Sequence, residues 1–142
     1  LDELFKKFQH LKQTEGPKAK EIFKEFKVGL QRHIVWEEEI LFPLFERKTG
    51  IAQGGPTQVM RMEHRQIRDL LESIHKKIQD QNPDTDPEEQ MLLSVLSAHN
   101  QKEENILYPA IDRLVSDADR AWVFSAMKNT PEERYRTCCK DV

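Results

Sequence analysis

Apolar residues recur at three- and four-residue spacing along most of this chain, and the strict alternation of a strand is absent. Leu1, Leu4, Phe8 and Leu11 mark one stripe on a first helix that ends near Gly16-Pro17. Ile22, Phe23, Phe26, Leu30, Ile40, Leu41 and Leu44 face inward on a second helix over residues 18–48. Residues 50–56 read as a loop, with Pro56 suited to the first turn of the next helix. Met60, Ile67, Leu71, Ile74 and Ile78 keep register on a third helix over residues 57–81. Residues 82–87 are a break, and Asp86 is placed to cap a fourth helix over residues 87–115. A shorter helix over residues 118–128 follows, and Thr130-Pro131-Glu132-Glu133 can start one last turn. Short links between long amphipathic helices predict an all-α, up-down-up-down four-helix bundle with a short additional C-terminal helix. The bundle spans residues 1–129, and residues 130–142 form a C-terminal tail.

Composition excludes several partners. The 142 residues carry a formal net charge of −3, with basic and acidic residues interspersed, so no nucleic-acid footprint is present. No apolar run approaches the roughly 18 residues of a membrane span. The two cysteines, Cys138 and Cys139, are adjacent in a polar tail and cannot staple distant segments. They predict free thiols and a reducing, cytoplasmic setting.

The chemistry is concentrated in a repeat. His33-x3-Glu37-Glu38-x-Ile40-Leu41-Phe42-Pro43 returns 66 residues later, without a gap, as His99-x3-Glu103-Glu104-x-Ile106-Leu107-Tyr108-Pro109. Four-residue spacing puts each imidazole and carboxylate on one helix face. The inward series are Phe26, Leu30, His33, Glu37, Ile40, Leu44 and Leu92, Leu96, His99, Glu103, Ile106, Ala110, while His64 lies in the third helix's stripe with Met60, Ile67 and Leu71. Three imidazoles and two carboxylates therefore point into an apolar core, which is costly unless a cation holds them. The donor set suits iron or manganese better than a thiolate-rich zinc site, and no His-Glu-x-x-His run is present. The natural arrangement is two metals bridged by Glu37 and Glu103, with His64 and His99 on one and His33 on the other. The second metal is one imidazole short. The repeat puts the counterpart of His64 three residues before Leu1, so a sixth ligand is expected upstream. His10 points away from its helix's stripe and reads as solvated.

The neighbouring residues read more plainly. His75 falls at the edge of its helix. Glu63 reads as an exposed helix residue, with a supporting or channel role as the alternative. Glu38 and Glu104 read as solvated or interface charges, and Trp36 as a pocket wall or ordinary packing. Pro43 and Pro109 each remove an intrahelical donor, which predicts a kink one to two turns beyond each carboxylate. The paired kinks reflect either a shared geometric need or inheritance from a duplication.

On these cassettes, and on Gly55-Pro56-x2-Val59-Met60-x2-Glu63-His64, the chain resembles the hemerythrin-like (HHE cation-binding) family over essentially its whole length. The resemblance implies a non-haem centre of two iron ions in a four-helix bundle, with His33, His64 and His99 as terminal imidazoles and Glu37 and Glu103 as bridging carboxylates. Oxygen-carrying members have a second histidine one turn after the third-helix ligand, where this chain has Arg68. That moves the likeness toward the four-His, two-carboxylate branch, which includes di-iron proteins of nitrosative-stress response and iron-sulfur cluster repair. Those carry an N-terminal cysteine-bearing domain that is not seen in these residues. The expected function is binding of a small diatomic, dioxygen or nitric oxide, for sensing or stress response. Reduction of nitric oxide or peroxide, or iron donation to damaged clusters, is the enzymatic alternative. A third reading is an iron- or oxygen-responsive regulatory domain acting on a partner protein of unknown identity.

Overall fold

The computed structural model describes residues 1–51 and 53–136, and Cys138 and Cys139 lie outside the described residues. Those residues are helical throughout, joined by short turns, with no strand among them. The helices are α1 (Asp2–Leu11), α2 (Gly16–Trp36), α3 (Phe42–Thr49), α4 (Pro56–Gln79), α5 (Asp86–Lys102), α6 (Tyr108–Leu114), α7 (Asp117–Lys128) and α8 (Glu133–Arg136). No helix among them is long and apolar enough to cross a membrane. α1 packs along α2, α4 along α5, and α2 against α4. α8 returns to α2, and Arg134 pairs with Glu39.

The two long cassette helices are interrupted at matching places. Glu37–Leu41 and Glu103–Leu107 are π turns, each running into a helix with proline in its first turn. Pro43 and Pro109 have no N–H for an α-helical bond. The wider turn lets the preceding residue close the ladder: Phe42 N–H donates to the Glu37 carbonyl, and Tyr108 N–H to that of Glu103. A π turn adds a residue per turn, so it shifts the apolar face onward by one position. This corrects one expected core position, because Ile106 is 60% exposed and Leu107 takes the inward place. The equivalent Ile40 stays buried because α7 lies over it, with Val123 in contact.

α7 begins in a reciprocal cap, with Asp119 N–H donating to Ser116 Oγ and Ser116 N–H to Asp119 Oδ2. Ser116→Ala is expected to cost about 1 kcal/mol in urea denaturation. An unchanged midpoint would mean that α7 adds little to the cooperative unit. At the start of α5 the expectation is corrected. Asp86 is the first helical residue rather than the cap, and its carboxylate pairs with Lys12.

Three apolar clusters organise the interior. The largest joins Phe5, Phe8, Phe23 and Phe26 to Leu30, Ile34, Ile67, Leu71, Ile74 and Leu92. Its phenylalanine rings lie 4.8 to 6.3 Å apart, within the range of favourable aromatic pairs. Phe5 replaces the expected Leu1, which is largely exposed. A second cluster joins Phe42, Phe45, Met60, Leu107 and Ile111. A third, around Ile40, Leu44 and Val123, takes in Trp36, so that side chain packs toward α7. His75, expected at a boundary, is buried, and its Nδ1 lies 2.7 Å from the Nζ of the fully buried Lys27. Lys27 also pairs with Glu72.

Candidate metal centre

Reading along the helices locates a polar layer between the first two clusters. From α2 through its π turn to α3 it falls between Ile34 and Phe42, on α4 between Met60 and Ile67, and on α5 and its π turn between Leu92 and Leu107. The residues in that layer are Glu37, His64, His99 and Glu103, each at most 2% exposed. One donor atom from each lies within 4.8 Å of all the others. His33 stands beside this group. Its Nε2 is 2.9 Å from Glu37 Oε1 and 3.7 Å from Glu103 Oε2, and its side chain is 45% exposed. The structure thus brings together all five residues expected from the sequence, four enclosed and one on an open side. His10 is exposed, as expected.

The remaining partners of these atoms are informative. Apart from the His33 ring beside Glu37 Oε1 and the His99 ring beside Glu103 Oε1, both carboxylate oxygens of Glu37, Glu103 Oε1 and His64 Nε2 are buried without a hydrogen-bond partner. Groups of this kind are seldom left unmatched in a folded interior. Inward-facing acceptors without donors are what a cation would satisfy, so the residues fit a metal site. Electrostatics agree. The carboxylates of Glu103 and Glu37 push the His33 imidazole up to about 10 against the opposing effect of burial. Burial also disfavours charge on His64, yet Glu37 and Glu38 raise it above the ordinary imidazole value. Burial would raise Glu103, but His33, His99 and Tyr108 hold it far below the usual carboxylate range. The layer attracts positive charge.

Two carboxylates orient the enclosed imidazoles: Glu38, expected as a solvated or interface charge, and Glu63, for which a supporting role is the alternative expectation. His64 Nδ1 lies 2.7 Å from Glu38 Oε2, and Arg68 donates to the other oxygen of Glu38 at 3.3 Å. His99 Nδ1 lies 3.0 Å from Glu63 Oε1, and Lys102 pairs with the other oxygen of Glu63. Each is a cation–carboxylate–imidazole relay. It places the ring proton on Nδ1 and turns the Nε2 lone pair inward. Burial would raise both glutamates, but His64 and Arg68 lower Glu38, and Lys102 and His99 lower Glu63. Arg68, which stands where oxygen carriers have a further histidine, thus anchors the support of His64. Glu38→Gln or Glu63→Gln is expected to weaken metal binding about 10- to 100-fold in chelator competition. Wild-type affinity would remove the relay from the account.

Phe42 and Tyr108, equivalent in the repeat, serve the two sides differently. Phe42 is fully buried and stacks on His64, with centroids 5.6 Å apart at 14°. Tyr108 donates its hydroxyl to Glu103 Oε2 and lies 3.3 Å from His33 Nε2. The aromatic mismatch between the cassettes is the sequence signal for this hydroxyl. A cavity of about 220 Å³ opens on the same side, lined by Leu1, Leu30, His33, Asn100, Glu103 and Tyr108 among others.

The hemerythrin HHE cation binding domain model matches residues 1–111. Among curated proteins, the chain is 30% identical over 131 residues to a DNA nickase of Nostoc, covering 89% of this chain and 36% of that protein. It is 34% identical over 89 residues to the iron-sulfur cluster repair protein YtfE of Edwardsiella ictaluri, and 33% identical over 92 residues to YtfE of Escherichia coli. Each of those matches covers 56% of this chain and 40% of the relative, so the chain spans two fifths or less of the length of these proteins. No solved structure matches the chain. With its ligand-type layer intact across the matched residues, the chain belongs to the hemerythrin HHE cation-binding family.

Proposed function

We propose that the chain is a carboxylate-bridged di-iron protein, built as an up-down-up-down four-helix bundle, that binds a small diatomic ligand, dioxygen or nitric oxide, in sensing or stress response. One observation carries this reading: the enclosed layer of Glu37, His64, His99 and Glu103, in which the Glu37 oxygens, Glu103 Oε1 and His64 Nε2 meet nothing but one another and the imidazoles of His33 and His99. Glu37 and Glu103 would bridge two ions, His64 and His99 would hold one, and His33 the other. Mixed carboxylate and imidazole donors suit iron, with manganese as the competing ion.

A bound iron pair supplies open coordination positions and one-electron redox chemistry. The residues decide where that chemistry is accessible. Phe42 closes the His64 side, and the relays through Glu38 and Glu63 fix both enclosed rings. The open side of His33 faces the cavity, where a sixth protein ligand or an exogenous molecule would bind. A reducing cytoplasmic setting, which keeps ferrous ions available, belongs to the same reading. Iron-loaded, reduced protein is expected to take up about one nitric oxide per pair of ions, measured by anaerobic titration. No uptake by protein with two irons per chain would contradict diatomic binding.

The likeness to iron-sulfur cluster repair proteins favours a second reading, iron donation, and the half-exposed His33 supports it. That reading expects one of the two ions to pass to a chelator much faster than the other. The nickase likeness covers little over a third of that protein and brings no DNA-directed activity into the proposal.

A further inference from the structure

Glu37 and Glu103 occupy equivalent places in the repeat, yet their surroundings differ. The Glu37 carboxylate has imidazole nitrogens beside it, His33 Nε2 at 2.9 Å and His64 Nε2 at 3.7 Å, whereas Glu103 Oε2 also accepts a hydrogen bond from the Tyr108 hydroxyl. The cassette aromatics explain the difference. Phe42 seals its side, and Tyr108 places a hydroxyl on the side that opens to the cavity. We propose that Tyr108 is a ligand-recognition residue, whose hydroxyl hydrogen bond passes from Glu103 to the outer atom of an exogenous molecule held beside His33.

The proposal rests on the di-iron reading and narrows its ligand class to small molecules whose outer atom accepts a hydrogen bond. Four features of the cavity support it. The hydroxyl already lies within 3.3 Å of His33 Nε2, so a molecule against that imidazole has Tyr108 as a neighbour. Asp2, Glu103 and Glu104 bring only carboxylates to the wall, and an ionised carboxylate cannot donate to an acceptor atom. Asn100 is the other side-chain donor on the wall besides the His33 ring, and it is exposed. Glu103 sits between His33 and His99, and in the di-iron reading it would be bound by the ions, so it keeps partners when the hydroxyl turns away. The exchange needs no rearrangement of the helices.

Tyr108→Phe tests the idea with little risk to folding, because phenylalanine is the native residue at the equivalent position 42. The probe is azide, added to the oxidised, iron-loaded full chain. A hydrogen bond to a charged acceptor is worth enough to make the variant bind azide about tenfold more weakly. Iron content should stay at the wild-type level. The infrared stretch of bound azide should shift in heavy water for wild type, and the shift should vanish in the variant. Equal azide affinity in both proteins, or the same heavy-water shift in both, would overturn the proposal while leaving the di-iron reading intact. Loss of iron from the variant would also overturn it, since the hydroxyl would then serve only to hold Glu103. A wild type without bound iron would overturn both readings.

Discussion

Glu37→Ala is expected to take the iron content from two per chain to one or fewer, by elemental analysis of protein purified with iron present. The size of the effect follows from where Glu37 sits. It is 1% exposed, lies between the first two apolar clusters, and has imidazole nitrogens as its neighbours. One of its oxygens is 2.9 Å from His33 Nε2 and 3.7 Å from His64 Nε2, so the carboxylate reaches both halves of the site. In the proposed bridged site, removing it would withdraw a ligand from each ion and leave cations in a poorly solvated interior. Substituting a supporting carboxylate costs about 10- to 100-fold in affinity, and a bridging ligand should cost more. Glu37→Gln keeps the shape and removes the charge, so its failure to bind would show that charge is decisive. Two irons retained by Glu37→Ala would mean that Glu37 is not a bridge.

Removal of the metal should produce the largest change in stability. Ions that bind only the folded chain stabilise it by mass action, about 4 kcal/mol when free metal is 1,000 times its dissociation constant. For a chain of this length, that corresponds to a melting temperature higher on the order of 10 °C. Without the ions, the Glu37 and Glu103 carboxylates rely on the half-exposed His33 imidazole, whose pKa they push up to about 10. Thermal melts with iron and with excess chelator measure the difference. Coincident curves would show that the polar layer is stable without a cation.

The sequence carried the polar layer well because two independent signals coincide there. Three-four spacing aims His33, Glu37, His99 and Glu103 at the core, and the repeat presents the pattern twice. Other features were less legible for definite reasons. Glu38 and Glu63 are off the core stripes, and only the helix packing shows that their carboxylates reach His64 and His99. The π turns beside Pro43 and Pro109 leave no mark in the periodicity, and the residue that the second one adds moves Ile106 out and Leu107 in. Ile40 escapes that fate because α7 covers it, a contact no periodicity within α2 can reveal. Lys27 defies the usual placement of lysine, since its burial depends on His75 and Glu72 across the α2–α4 interface. Tyr108 was visible only as a mismatch between two otherwise parallel cassettes.

A crystal of the iron-loaded protein, measured at the iron absorption edge, examines the arrangement itself. Two anomalous peaks about 3.5–4 Å apart, flanked by Glu37 and Glu103, are the result expected of a bridged pair. His64 and His99 should lie on one peak and His33 on the other. A single peak, or peaks remote from these five side chains, would contradict the account.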